Sequence, residues 1–365
     1  AARKAGAEVH RFTPVTGTSQ LPDGGWLVET PKGNIRCEYV VNAGGLWGRE
    51  VAAMAGVRLP IMPMEHMYLV TENVPEIEAL NHELPLTIDF DAESYMRQEG
   101  QGLLIGTYEQ QCKHWAVDGT DPEFGHELLE PDLDRLMDRL AVAFDRVPPL
   151  ERAGIKRVIN GPMVFAPDGN PVIGPVPGMQ GYFVACGVMA GFSQGGGIGL
   201  ALAEWMVEGE PSRDVFAMDV ARFGEWATKA YVLDKTRENY GRRFKITFPN
   251  EELPAARPLR TSPVYDLMEA RNGVMGANFG AEYVRVFVPE GVEPYEEPTF
   301  RRSNVFDYVA EECRAVREDV GISEIAIFGK YEVTGEKAAD WLDGLLAGTL
   351  PAVGRMKLLP MLSPK

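Results

Sequence analysis

Two side chains, His66 and Tyr95, are of the types that move protons. His66 lies in PMEHMYLVTE and Tyr95 in SYMRQEGQGLLIGTYE, both strand-like runs. A histidine that ionises near neutrality and is hydrogen-bonded to a phenol can accept and return a proton. Taken bare, a lone histidine before an aromatic is more often a core residue with satisfied nitrogens, so the residues alone leave both readings open. Arg97 stands two positions beyond Tyr95, which puts the two on one face of a strand. Its guanidinium fork fits a carboxylate and equally fits a surface or interdomain salt bridge.

Glycine supplies the second kind of chemistry. In VVNAGGLWGREV an apolar strand runs into Asn42, Ala43, Gly44 and Gly45 and then into a helical stretch near 49–55. The passage GYFVACGVMAGFSQGGG followed by LAEWMVEGEP repeats that order on a larger scale. A strand, a glycine-rich turn and a helix together let backbone N–H groups meet a phosphate or dinucleotide. The alternative is that these glycines only allow tight strand-to-helix packing. Cys186 adjoins the second turn on an apolar strand, where a buried inert thiol is expected. His10, His82, His114 and His126 show no metal-ligand spacing, and the pairs Asp89 with Asp91 and Glu251 with Glu252 read as solvated.

The elements that must position these residues follow from periodicity. Residues 7–41 alternate β-rich runs (AEVHRF, WLVET, IRCEYVV) with turn signals, which predicts a small antiparallel meander. MYLVT, YMRQ and LLIGTY predict strands. Leu133, Leu136, Met137, Leu140 and Phe144 recur at helical spacing and predict a core-facing helix over about 132–147. After Glu210-Pro211-Ser212 the composition turns charged and aromatic, which places a domain boundary near 211–220. Phe306, Val309, Cys313, Val316 and Val320 form a further helical stripe, and EIAIFGKYEVTG reads as a hairpin turning at Gly329-Lys330.

Composition narrows the partners. Lys and Arg total 36 against 53 Asp and Glu, a formal net charge of −17 spread along the chain. No basic stripe suited to nucleic-acid phosphates appears. At 365 residues the chain is long enough for two or three domains. The run from Tyr182 to Phe192 falls far short of the roughly 20 apolar residues that span a bilayer, so no membrane partner is expected. The four cysteines are scattered without Cys/His clusters, which argues against a metal site or disulfide framework and for a reducing compartment. The opening AARKAGAEV and the closing MLSPK are read as cuts within domains.

Taken in order, VVNAGGLWGREV, PMEHMYLVTE, SYMRQEGQGLLIGTYE, NGPMVFAPDGNPVIGP, GYFVACGVMAGFSQGGG and RENYGRRFKITFPNEELPAARPLRTSP resemble the FAD-dependent dimethylglycine and sarcosine dehydrogenases and their dimethylglycine oxidase relatives. The resemblance implies a multidomain α/β and α+β fold. Residues 1–50 and 151–215 would be parts of a Rossmann-like FAD-binding domain, and 51–150 a mixed or antiparallel sheet domain covering the flavin. Residues 216–275 would be a central connector, and 276–365 the start of an aminomethyltransferase-like folate-binding domain. It implies FAD contacts from Val188, Met189, Ala190, Gly191, Phe192 and Ser193, with Val15, Asn42, Gly44 and Trp47 toward the rest of the cofactor. His66 and Tyr95 match the family's HxY and SYxR strands, with Arg97 as a carboxylate partner. Where glycine oxidase relatives carry an arginine after a glycine, this chain has Gly161-Pro162, so the substrate carboxylate must be held by other means.

The activity implied is oxidative demethylation of a small N-methyl amino acid, with hydride passing to flavin N5. The iminium would go to tetrahydrofolate beside Leu362, Ser363 and Pro364, or be hydrolysed to formaldehyde. The electron acceptor would be oxygen or an electron-transfer flavoprotein, and the compartment bacterial cytoplasm or mitochondrial matrix. A non-catalytic alternative, the pyruvate dehydrogenase phosphatase regulatory subunit, resembles the same family.

Overall fold

The computed structural model describes residues 1–361; Leu362, Ser363 and Pro364 lie outside the described residues. The strands are β1 (Gly17–Gln20), β2 (Trp26–Glu29), β3 (Ile35–Cys37), β4 (Val40–Asn42), β5 (Met62–Thr71), β6 (Thr87–Asp89), β7 (Ser94–Glu99), β8 (Gly102–Thr107), β9 (Ile155–Phe165), β10 (Val172–Pro175), β11 (Tyr182–Cys186), β12 (Gly273–Asn278) and β13 (Ala281–Phe287). The helices are α1 (Gly48–Met54), α2 (Pro75–Glu78), α3 (Met137–Arg146), α4 (Gly191–Glu208), α5 (Lys229–Gly241), α6 (Tyr265–Ala270), α7 (Phe306–Glu318) and α8 (Ala338–Leu345). The fold is mixed α/β with several sheets.

The sheet that carries His66 and Tyr95 has the order β6-β7-β8-β5-β9, antiparallel at every pairing. Alternation along its strands sends Met67, Leu69, Met96, Leu103 and Ile105 to one face, where Leu136, Leu140 and Ala143 cover them in one buried cluster. The opposite face of β5 and β7 therefore carries His66, Tyr68 and Tyr95. Met137, expected in the apolar stripe of α3, is instead half exposed. The buried positions are Leu136, Leu140 and Ala143, spaced four and three apart across the change from 3-10 to α geometry at Met137.

A second sheet, β10-β11-β4, pairs β11 with β4 in parallel, with Tyr182 opposite Val40 and Val184 opposite Asn42. Parallel neighbours end at the same edge, so the turns leading to α1 and α4 emerge side by side, the position at which open α/β sheets bind ligands. Gly48 makes this approach possible: a side chain there would meet Cys186 Sγ at 2.8 Å and Ile61 at 3.3 Å. Trp26, Ala52, Ile61, Val172, Tyr182, Val184 and Cys186 form the core beneath.

Three local expectations are corrected. The meander exists as β1-β2-β3, but its first strand is Gly17–Gln20 and AEVHRF forms no strand, Phe12 being held at φ 53. Residues 324–335 form no hairpin; Ile325, Phe328 and Tyr331 stay exposed, and a two-stranded ribbon with nothing packed on it is marginal in water. The stripe Phe306, Val309, Cys313 and Val316 is helical, but α7 ends at Glu318 and these positions are exposed.

Candidate functional site

His66 sits between two phenols. Its Nε2 lies 2.9 Å from the Tyr95 hydroxyl and its Nδ1 2.9 Å from that of Tyr240 on α5. The Tyr240 hydroxyl donates to Glu109 Oε2 at 3.1 Å. A hydroxyl has a single proton to give, so Tyr240 accepts from Nδ1–H. Nε2 is then the acceptor of the Tyr95 O–H. The network thus assigns one imidazole tautomer and leaves lone pairs of the Tyr95 oxygen as the outermost polar feature.

Sheet geometry explains how Tyr95 reaches His66. Strands lie about 4.8 Å apart, and β8 intervenes between β7 and β5. Gly106 is the residue of β8 opposite both Tyr95 and Tyr68. A Cβ built at Gly106 would fall inside the Tyr95 ring, so the phenol crosses the neighbouring strand over a position that has no side chain. On the far side of β5, His66 pairs with Gly161, and nothing lies within 4 Å of where a Gly161 side chain would point. The imidazole is thus bordered by open space on its own face of the sheet.

The electrostatics correct one expectation. Burial lowers the His66 pKa from near neutrality to about 4, so the ring is neutral in ordinary conditions and does not store a proton. Burial likewise raises Tyr95 and Tyr240 above the usual phenol range, which keeps both hydroxyls protonated. Glu109, itself buried, is raised chiefly by desolvation, with Arg135 opposing.

Aromatic rings surround this pair. Tyr108 lies 4.8 Å from the His66 ring centroid and 5.0 Å from those of Tyr240 and Phe244, while Phe165 lies 5.2 Å from Tyr240. Tyr240, Glu109 and Phe244 lie within motifs that carry the resemblance, but nothing local marked them as site residues, since they sit in a charged stretch and at a strand end and converge only through tertiary packing. Arg97 lies on the Tyr95 face as expected, but it is half exposed and pairs with Glu99 at 2.7 Å. Arg243, in contrast, stands close enough to the Tyr108 hydroxyl for its charge to oppose the upward shift that burial gives that phenol, and it makes no ion pair with a carboxylate among the described residues.

The glycine-bearing turns divide into two groups. Asn42 directs its side chain inward, donating to the Gly48 carbonyl at 2.8 Å and accepting from Gly44 N–H at 3.0 Å. It shapes the first turn from a buried position. Trp47 donates to the Asp121 carbonyl at 2.8 Å, and Val15 is partly exposed ahead of β1. Cys186 is buried with its thiol pushed up to about 11, as expected of an inert group.

In α4 the picture is different. Gly191, Gly195, Gly196, Gly197 and Gly199 have nothing within 4 Å of an added side chain, so packing within this chain does not require them. The helix begins at Gly191, with Ala190 at its N-cap, without a side-chain cap or an acidic residue in its first turn, which leaves N–H donors and the positive dipole end free. Gly191, Phe192 and Ser193 are exposed, while Val188, Met189 and Ala190 are half buried. Met189 packs against the cluster of Tyr95, Tyr108, Tyr240 and Phe165. The residues present therefore fit the flavin that the sequence resemblance implies: a bare helix start and uncovered glycines adjoin the histidine and its phenols.

Comparison with known proteins places this arrangement. Residues 1–205 match the family model described as FAD dependent oxidoreductase, 208–262 the FAD dependent oxidoreductase central domain, and 264–365 the GCVT N-terminal domain. The chain is 40% identical over its full length to mouse mitochondrial dimethylglycine dehydrogenase, of which it spans 42%. It is 32% identical over 94% of its length to human mitochondrial sarcosine dehydrogenase, spanning 40% of that protein. It is also 32% identical over 88% of its length to the mouse mitochondrial pyruvate dehydrogenase phosphatase regulatory subunit, spanning 38% of it. The chain thus covers less than half the length of these relatives.

Proposed function

Because the chain belongs to the FAD dependent oxidoreductase family, we propose that it forms the oxidising part of an enzyme that demethylates a small N-methyl amino acid of the dimethylglycine or sarcosine type. The observation that carries this reading is the neutral His66 held between Tyr95 and Tyr240, beside the uncovered glycines of α4. FAD, when bound, supplies the acceptor for hydride from the N-methyl carbon. Val188 to Ser193 would hold its ring, with the α4 N-terminus favouring the negative charge that reduction brings.

The chain's own residues do the rest. The amine must be neutral before its lone pair can support a cationic iminium product. The Tyr95 oxygen, its proton committed to His66 Nε2, can accept a hydrogen bond from the ammonium group and orient it. Tyr95, Tyr108 and Phe244 form an aromatic cluster, the kind of surface that suits a methylated ammonium. We assign the substrate carboxylate to Arg243, whose cation adjoins the same rings, in preference to Arg97, which is engaged by Glu99.

Transfer of the one-carbon unit to tetrahydrofolate would belong to the region that begins with residues 264–365. An electron-transfer flavoprotein or oxygen would take the electrons. The test is anaerobic mixing of the full-length flavoprotein with dimethylglycine and with sarcosine. Bleaching of the flavin absorbance is the expected result. A loaded flavin that neither compound bleaches would overturn this function and favour the regulatory reading that the third relative represents.

A further inference from the structure

Beyond His66 and Tyr95, a buried carboxylate with no assigned role terminates the hydrogen-bond chain. From Tyr95 the chain runs through His66 Nε2 and Nδ1 to Tyr240 and then to Glu109, with separations of 2.9, 2.9 and 3.1 Å. The Glu109 side chain is 1% exposed, and its Oε1 has no hydrogen-bond partner. Arg135 Nη2 stands 3.8 Å from that oxygen, too far for a hydrogen bond. Arg135 therefore compensates the carboxylate as an ion pair without a hydrogen bond, and desolvation outweighs it.

We propose that Glu109, acting through Tyr240 and His66, takes up the proton that the substrate ammonium must lose before oxidation. This rests on the N-methyl amine function proposed above. The ammonium proton passes to the Tyr95 oxygen as the Tyr95 proton moves to His66 Nε2. The His66 Nδ1 proton moves to the Tyr240 oxygen, and the Tyr240 proton to Glu109 Oε2. One N–H bond breaks at the amine and one O–H bond forms at Glu109. Tyr95, His66 and Tyr240 begin and end neutral, the imidazole exchanging its tautomer. The amine loses its positive charge and Glu109 its negative one, so no ion is stranded in the interior.

Tyr240 and Glu109 touch no substrate; they are positioning residues. His66 is a poor resting place for the proton because burial holds it near pKa 4, whereas burial lifts Glu109. The groups facing Glu109 are Tyr240 and Cys112, the adjacent Tyr108, Glu65 on β5, and Arg135. Arg135 also contacts Glu65 at 2.9 Å and the partly exposed Asp132 at 3.6 Å, which links the carboxyl toward the surface.

The test uses the full-length flavoprotein, dimethylglycine and the variant Glu109→Gln, whose amide oxygen still accepts the Tyr240 hydrogen bond but cannot take a proton. Anaerobic flavin reduction is followed as a function of pH, and infrared difference spectra are recorded on dimethylglycine binding. The wild-type rate is expected to vary little across the neutral range. The variant must recruit the neutral amine from solution, so its rate should rise about tenfold per pH unit. A protonated-carboxyl band should appear on binding in the wild type and be absent in Glu109→Gln. Tyr240→Phe, which keeps the ring but breaks the relay, should reproduce both changes. Should wild-type flavin be reduced while Glu109→Gln keeps the wild-type pH profile and carboxyl band, the relay is wrong and the parent function stands. Should dimethylglycine and sarcosine both fail to reduce the wild type, the parent function falls and takes the relay with it.

Discussion

At the scale of single residues, the decisive feature is an imidazole kept neutral by its surroundings. The sequence made His66 and Tyr95 legible as a pair only through the motif context of their strands, because a lone histidine is chemically ambiguous. What periodicity could not reveal was the depth of burial, which depends on α5 closing over the sheet face. The consequence is thermodynamic as well as catalytic. His66 has a folded pKa of about 4 against an unfolded value of about 6.5. The unfolded chain therefore binds more protons between those values, and stability falls as pH drops through that window. Lowering the pH from about 7 to about 5 should cost the wild type about 2 kcal/mol more than His66→Gln. Urea unfolding of both proteins at the two pH values measures the difference, and equal losses would contradict a buried neutral ring.

At the scale of elements, Gly106 decides whether Tyr95 can reach its partner. The strand containing it was readable from LLIGTY, yet its role was not, since a glycine in a strand signals close approach without saying of what. Its meaning emerges only from the register that sets Tyr95, Gly106 and Tyr68 in one row. Gly106→Ala should push the phenol off His66, costing about 1–3 kcal/mol in stability through overpacking and slowing flavin reduction more than tenfold. Recording thermal unfolding and reduction on one preparation separates the two effects; wild-type reduction would show that Tyr95 does not need to cross β8. Strands with tertiary partners (β5, β7, β8 and β11) were legible from β-rich composition, whereas β9, broken by Asn160, Gly161 and Pro162, was not. The hairpin expected over 324–335 was not realised, because local β propensity without a packing partner does not hold a ribbon.

At the scale of the molecule, distant segments complete one site and lock to one another. Tyr240 comes from α5, within the stretch matching the central domain model, and closes over a sheet in the stretch matching the oxidoreductase model. Beyond α5, Arg257 forms a two-pronged pair with Glu282 on β13 at 2.9 and 2.6 Å, fastening the connector to the C-terminal hairpin. Glu282 is almost fully buried. Its replacement by alanine leaves the guanidinium, among the described residues, only the longer contact to Glu252 at 3.4 Å and should cost about 3 kcal/mol, measurable as a fall in the denaturation midpoint; a loss under about 1 kcal/mol would mark the pair as dispensable. Such long-range pairings cannot be read from local sequence, as nothing in either segment names its partner.

The account turns on the Tyr95 hydroxyl engaging the substrate amine while hydrogen-bonded to His66. The most direct measurement is the limiting rate of anaerobic flavin reduction by an N-methyl amino acid in Tyr95→Phe, with flavin content matched to the wild type. Loss of that one oxygen should lower the rate about 10²-fold or more. A variant that bleaches its flavin as fast as the wild type at every substrate concentration would contradict the account.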